Sequence, residues 1–289
     1  MASVVELLRL CKSRPFVACD FSPPRGGTSD LMSEALSLTP DMFLVAYSPG
    51  KSVRTNPVAA AHWISKNTGR EAAFMLATRD MNKNALQSIL LGAQLLGLDN
   101  IVSVMGDKFE TSERKIQKSV YDFSSTEFIE SIKEMNNRLD FKKRVLRNPT
   151  QFCVGGAIDL SREWGSEISL TEKKVNAGAD FFISQPSFDA LRPRNFLEQY
   201  REYTGVSLGR PVLWGIQMMV RDSISFAAVP DSLQKDLDLG RSGFEIALET
   251  IQIHRENGFE SFYLVPPVFK GGRRDYESAQ ALLDELGVL

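Results

Sequence analysis

The chain has 289 residues, of which 43% are hydrophobic and 24% charged, and its formal net charge is -2. That length buries a large core, as two ordinary domains or as one α/β barrel, and the composition is that of a globular enzyme. So balanced a charge excludes a strong electrostatic pull toward nucleic acid or an anionic membrane surface.

In chain order, "SVVELLRLCKS" comes first and carries Glu6 and Arg9 inside its apolar pattern, which suits an amphipathic helix and not a signal peptide. Eight short segments rich in β-branched and aromatic residues follow: "FVACDF" at 16, "MFLVAYS" at 42, "AAFMLAT" at 72, "IVSVMGD" at 101, "QFCVGGA" at 151, "FFISQ" at 181, "PVLWGIQ" at 211 and "FESFYLV" at 259. Most are almost continuously apolar, as strands covered on both faces must be. Helical patterns lie between them. "TNPVAAAHWISKNTG" opens on Asn56-Pro57 and closes on Gly69. "NALQSILLGAQLLG" places Leu86, Ile89, Leu90 and Ala93 on one helical face, with Asn84 as cap and Gly97 as stop. The longest apolar run, Ile89 to Leu98, contains Gln94 and falls far short of the ~18 residues that span a bilayer.

Strand starts recur about every 26–30 residues, with two gaps of about 48–50 after the fourth and seventh strands. Alternating strand and helix means parallel strands, and eight units at this pitch predict an α/β chain folded as a single-domain (β/α)8 TIM barrel over residues 1–289. The polar stretches 107–119 and 221–240 fill the long gaps. No GxGxxG follows any strand, which weakens the rival doubly wound sheet. Cys11, Cys19 and Cys153 cannot all pair and lack metal-ligand spacing, so a reducing cytoplasm and no built-in metal are expected. Trp63 and Phe244 on outer helices are candidate contacts in a homo-oligomer.

A barrel of this kind builds its site at the C-terminal ends of its strands. Here those ends carry Asp20, Tyr47, Thr78 with Arg79 and Asp80, Gly106-Asp107, Gln185 and Gln217, while the eighth strand ends Val265-Pro266-Pro267. Asp20 and Asp107 form a pair in which one carboxyl stays protonated as a general acid while the other is ionised; alternatively each caps a helix or pairs with Arg25 or Lys108. Gln185 and Gln217 both donate and accept, which suits a heterocycle edge or, more plainly, loose loop backbone. The only histidines, His62 and His254, lie in helical stretches, which makes a Ser-His-Asp or histidine-zinc site improbable. Cys19 alternates with Asp20 and should face away from the lumen. "KGGRRDY" at 270–276 reads as a phosphate loop or an ordinary solvated one. No strand ends on a lysine, so a Schiff-base lyase or aldolase has little support.

At these same strand ends the chain resembles the methylenetetrahydrofolate reductase family. "CDFSPP" is similar to its opening F-E-F-x-P-P. "VAYSPGKSVRTNP" resembles its second-strand segment, and "LATRDMNKNALQSILLGAQLLGLDNIVSVMGD" its L-T-x-R-D, helix and G-D run. "SVYDFSSTEFIESI" resembles the segment that follows, "TEKKVNAGADFFISQPSFD" the family's K-V-x-A-G-A-D-F-x-x-T-Q-x-x-F-D, and "PVLWGIQMM" its P-V-x-x-G-I-x-P. The resemblance implies FAD as cofactor, NADH or NADPH as co-substrate, and reduction of methylenetetrahydrofolate to methyltetrahydrofolate. It makes Asp20 the general acid, places Asp107 near flavin and pterin, sets Gln185 on the folate with Gln217 and Tyr47 on the substrate side, and puts Lys174, Thr78 and Gly106 on the cofactor side. The chain departs from the family at several points: Asp20 stands for Glu, Met75 for a histidine, Met105 for the Arg of R-G-D, "GGAIDLSRE" for Y-P-x-x-H and Leu264-Val265-Pro266-Pro267 for T-L-N-R. The second expectation is therefore a pterin- or folate-binding barrel without redox activity, serving one-carbon or methyl transfer as an accessory.

Overall fold

The computed structural model describes residues 2–288. Eight strands close into one parallel barrel in sequence order: β1 Phe16–Phe21, β2 Met42–Val45, β3 Glu71–Ala77, β4 Asn100–Val104, β5 Cys153–Ile158, β6 Phe181–Ser184, β7 Val212–Gln217 and β8 Ser261–Val265. Pairing of β1 with β8, Phe16 opposite Ser261 and Cys19 opposite Leu264, closes the ring. The helices are α1 Val4–Leu10, α2 Pro57–Thr68, α3 Lys83–Leu95, α4 Ser125–Asn136, α5 Trp164–Asn176, α6 Arg192–Thr204, α7 Asp231–Asp238, α8 Gly243–Glu256 and α9 Tyr276–Glu285. The chain is a (β/α)8 barrel.

Near-continuous apolarity in the strands follows from burial on both faces. Ala18, Met42, Leu44, Ala73, Met75, Val102, Phe181, Ile183, Leu213 and Tyr263 fill the lumen. The alternate residues, among them Val17, Cys19, Phe21, Phe43 and Phe74, pack against the helices. Cys19 thus faces outward, as strand alternation requires. Gly155 of β5 makes room for its β6 neighbour, since a Cβ there would lie 2.5 Å from the Phe181 ring.

The N-terminal amphipathic segment forms α1, with Ser3 and Glu6 in a reciprocal capping box. Its apolar face, Val4, Val5, Leu7 and Leu8, packs on the lumen cluster and floors the barrel. Asn100 at the foot of β4 fixes it, accepting from Val4 N and donating to Ala2 O, both at 2.9 Å.

α2 begins and ends where its sequence indicates, capped by Asn56 and stopped by Gly69 at φ 72°. In α3 the cap is Asn82 and not Asn84: Asn82 Oδ1 accepts from Ala85 N at 2.9 Å. The apolar face starts at Leu86, but the first turn reaches back to the residue able to satisfy its orphan N–H groups. The first long gap is split between 105–124 above the barrel and 137–152 below it, while the second holds α7 ahead of α8. His254 is buried in α8 with Nδ1 2.8 Å from Thr250 O, and His62 Nδ1 lies 3.1 Å from Leu96 O. Among the described residues no helix is long and apolar enough to cross a membrane.

Candidate active site at the C-terminal mouth of the barrel

The ends of β2 to β6 surround a cavity of about 310 Å³, at the lower end of the range of about 300–1,000 Å³ for small-molecule sites. Of the eight residues given a catalytic, substrate or cofactor role from the sequence, five line it: Tyr47, Gly106, Asp107, Lys174 and Gln185. Ser48–Lys51, Arg79, Asp159, Arg162 and Glu167 complete much of the wall.

Gln185 reaches the cavity because β6 breaks from its ladder. Gly215 N on β7 donates to Ser184 Oγ at 2.8 Å, and Ser187 N donates to Gly215 O at 3.3 Å. The chain crosses β7 so closely that a Cβ at Gly215 would lie 2.5 Å from Ser184 O and 2.7 Å from Pro186 N. Pro186 is buried in that crossing, where a residue without an N–H is no loss, and the Gln185 side chain is left exposed to the cavity. Asp107 follows a similar turn: Gly106 has φ +82°, and its Cα is pressed against the third strand's end, with a Cβ there only 3.1 Å from the Cβ atoms of Ala77 and Arg79.

Arg79 braces the wall. It donates to both Asp80 oxygens at 2.7 Å and to Asp107 O at 2.9 Å, and its guanidinium lies 4.4 Å from the Phe109 ring centroid. Its bond to Asp80 holds its pKa above the ordinary value. Burial, reinforced by the Asp80 charge, pushes the Tyr47 hydroxyl up to about 12. Lys51 donates to Lys108 O at 3.0 Å and Glu113 Oε2 at 2.8 Å, tying the loop after β4 to the loop after β2.

The floor beside β5 is ionic. Glu167 and Lys174 stand seven residues apart on α5, both buried, with Lys174 Nζ 3.9 Å from Glu167 Oε1 and donating to Ala157 O. Glu167 also accepts from Asp159 N at 3.0 Å and lies 3.4 Å from Arg162. Burial lowers the Lys174 pKa to about 8 despite Glu167, and burial raises that of Glu167. This gives a pH signature. Below about pH 8 Lys174 is charged in both the folded and unfolded states and its burial cost is present in full; between about 8 and its ordinary 10.5 the folded state sheds its proton first and the cost is relieved. The stability of the wild type relative to Lys174→Met therefore rises from pH 8 toward 10, as urea midpoints will show. A difference that does not move over this window would contradict a buried, titrating Lys174.

Three sequence candidates do not line this cavity. Gln217 donates to Ile224 O at 2.7 Å and accepts from Phe226 N at 2.9 Å, so its amide holds the loop after β7, the plainer of its two readings. Thr78 is fully buried, and its Oγ1 has no hydrogen-bond partner among the described residues. Asp20 is buried on β1 beside its neighbour β8, where Oδ1 accepts from Tyr263 Oη at 2.8 Å and Oδ2 from Arg274 Nε at 3.1 Å. The sequence reading missed Asp159, Arg162 and Glu167. The spacing of Glu167 from Lys174, two helical turns, is the one signal that pairs a missed residue with a candidate.

Among the described residues, every cation of the cavity wall has a carboxylate within 4 Å: Lys51 with Glu113, Arg79 with Asp80, Arg162 with Asp159 and Glu167, and Lys174 with Glu167. The Asp107 carboxylate and the Gln185 amide group, in contrast, have no side-chain hydrogen bond among the described residues. The cavity therefore offers a spare acceptor pair and a spare amide to a ligand rich in N–H donors, and no spare positive charge.

The fold has solved counterparts. A protein from Clostridium thermocellum, described as binding two copies of 5-methyl-5,6,7,8-tetrahydrofolic acid, is 12% identical, with 99% of each chain covered and a TM-score of 0.66. The 3-dehydroquinate dehydratase of Geobacillus kaustophilus HTA426 is 10% identical, with 95% of this chain and 92% of that one covered and a TM-score of 0.50. No curated protein sequence matches the chain. The family model for methylenetetrahydrofolate reductase matches residues 6–264, and the chain belongs to the methylenetetrahydrofolate reductase family.

Proposed function

We propose that the cavity holds the pterin of a reduced folate and that the protein acts on the folate's one-carbon unit. The observation that carries this reading is the pairing of an unengaged Asp107 carboxylate with an unengaged Gln185 amide in a cavity whose cations are all neutralised. A pterin presents an amino group and a ring N–H side by side, which a carboxylate accepts together, and a carbonyl that an amide N–H can meet. The folate-binding barrel of Clostridium thermocellum has the same fold over 99% of its length.

The reaction that fits the family is reduction of methylenetetrahydrofolate to methyltetrahydrofolate. A hydride passes from NADH or NADPH to the methylene carbon, the carbon–nitrogen bond on the aminobenzoyl side breaks, and that nitrogen takes a proton. In this scheme Asp107 and Gln185 orient the pterin, Tyr47 walls it, and the loops after β2 and β4 keep water from the reacting carbon.

Flavin fits poorly. The diphosphate of FAD needs cations or open backbone N–H groups, and Lys51, Arg79, Arg162 and Lys174 are already paired with carboxylates. No step is assigned to it. The same pairing, with Asp20 engaged to Tyr263 and Arg274, favours a second reading: a folate-binding barrel without redox activity.

Titration of the purified protein with 5-methyltetrahydrofolate, followed by nicotinamide oxidation in the presence of methylenetetrahydrofolate, tests both. Saturable binding with turnover supports the reductase and saturable binding alone the carrier. No saturable folate binding ends both.

A further inference from the structure

On the β8 side of the barrel mouth lies a second, smaller cavity of about 210 Å³. Its wall is dominated by guanidinium groups: Arg25 from the loop after β1, Arg54 from the loop after β2, and Arg273 and Arg274 from the loop ahead of α9. Glu34 is the one carboxylate among the lining residues.

The charges do not cancel. Arg274 is matched by Asp20 at 3.1 Å. Arg54 donates only to neutral groups, to Pro23 O at 2.9 Å, Pro49 O and Ser52 Oγ at 3.2 Å, and Gly271 O at 3.3 Å. Among the described residues neither Arg25, Arg54 nor Arg273 has a carboxylate within ion-pair distance. Allowing Glu34 one partner and Asp20 another, four guanidiniums against two carboxylates leave an excess of two positive charges. Burial and the neighbouring Arg274 and Arg25 charges together lower the pKa of Arg54, the mark of a cation held without its counterion.

A second observation is independent of charge. Ser22, which lines the same cavity and is only 9% exposed, has a buried Oγ with no hydrogen-bond partner among the described residues. A buried hydroxyl left unpaired is costly, and here it stands beside excess cations. The backbone is also shaped for close approach. Gly271 and Gly272 both take positive φ, +81° and +82°, and a Cβ at Gly272 would run into the Arg54 guanidinium.

We propose that this cavity is a binding site for a phosphoryl group carried by a small ligand. Guanidinium forks match phosphoryl oxygens in pairs, the Ser22 hydroxyl supplies a further donor, and a charge of about -1.5 to -2 at neutral pH answers the excess of two, where a single carboxylate answers half of it. The site is separate from the cavity of Asp107 and Gln185 and does not depend on what that cavity binds. The loop after β2 walls both: Pro49, Gly50 and Lys51 face one cavity and Arg54 the other.

Calorimetric titration of the full chain at constant ionic strength tests this, with inorganic phosphate, pyrophosphate and tri-γ-glutamate as probes, on wild type, Arg54→Gln, Arg54→Lys and Arg273→Gln. Far-ultraviolet circular dichroism establishes that each variant is folded. The expected result is saturable phosphate binding, tighter for pyrophosphate, weakened at least about tenfold in Arg54→Gln and Arg273→Gln and partly restored in Arg54→Lys. Each lost charge-assisted bond corresponds to about that factor or more. Wild-type binding no different from that of the two glutamine variants, or none that saturates, overturns the proposal. Stronger arginine-dependent binding of tri-γ-glutamate than of pyrophosphate overturns it too, and reassigns the cavity to a carboxylate chain.

Discussion

Asp20→Ala is expected to lower the stability of the fold by about 3–5 kcal/mol, the usual cost of removing one partner of a buried ion pair. Asp20 and Arg274 have side chains only 3% exposed, and Asp20 is the carboxylate that meets both Arg274 Nε and Tyr263 Oη. Its removal leaves a guanidinium and a phenol buried together with their acceptor gone. In the wild type, burial with the Asp20 charge and hydrogen bond holds the Tyr263 hydroxyl far above its ordinary pKa, so Asp20 and not the phenol is the counterion of Arg274. Asp20→Asn keeps the shape and can still pair with the Tyr263 hydroxyl, which accepts as well as donates, but it removes the negative charge that answers Arg274, so it falls between the wild type and alanine. The double change Asp20→Leu with Arg274→Met removes both charges and should recover most of the loss, since apolar replacement of a buried pair is often neutral. Denaturant midpoints of the four proteins decide the matter. If Asp20→Ala costs under about 1 kcal/mol, the pair is not the buried structural element described here. The comparison also separates stability from chemistry: a fully folded Asp20→Asn protein that binds folate and has lost turnover at least about 100-fold would point to the general-acid role implied by family resemblance.

Asp107→Ala is expected to weaken reduced-folate binding by about 10- to 150-fold, from the loss of hydrogen bonds to a charged acceptor worth about 1.5–3 kcal/mol. The fold should hardly notice, because the Asp107 side chain is exposed and only its backbone carbonyl is used internally, by Arg79. Asp107→Asn retains one acceptor and adds a donor, so it should recover little when the ligand edge is all donors. Titration with 5-methyltetrahydrofolate, beside a thermal melt, distinguishes lost binding from lost folding. Unchanged affinity in a folded Asp107→Ala protein would remove the carboxylate from the site.

Much of this architecture can be read from local pattern. All eight strands occur where short apolar segments stand, because a barrel strand is buried on both faces and its sequence shows it without long-range information. Gln185-Pro186 marks a strand end for a reason equally local: proline cannot donate to the ladder. What the sequence hides is what side chains meet across the fold. Arg274, the partner of Asp20, lies 254 positions away, and no spacing rule joins them. Gln217 and Gln185 look alike as amides ending strands, yet only the loop after β7 folds back far enough to claim the first. Asn82 outcompetes Asn84 as a cap because hydrogen-bond geometry decides, and both asparagines satisfy the same residue preference. The neutrality of the cavity's cations is likewise a tertiary property, since Lys51 finds Glu113 across 62 residues.

The helix flooring the barrel sets the traffic through it. Side chains such as Leu44, Met75, Phe181 and Tyr263 already fill the lumen and Val4, Leu7 and Leu8 seal its lower end, so whatever enters at the upper rim must leave by the same door. For the proposed reductase reaction, nicotinamide and folate would have to queue or lie face to face there, and the order in which reactants arrive and products depart would become a property of one shared opening.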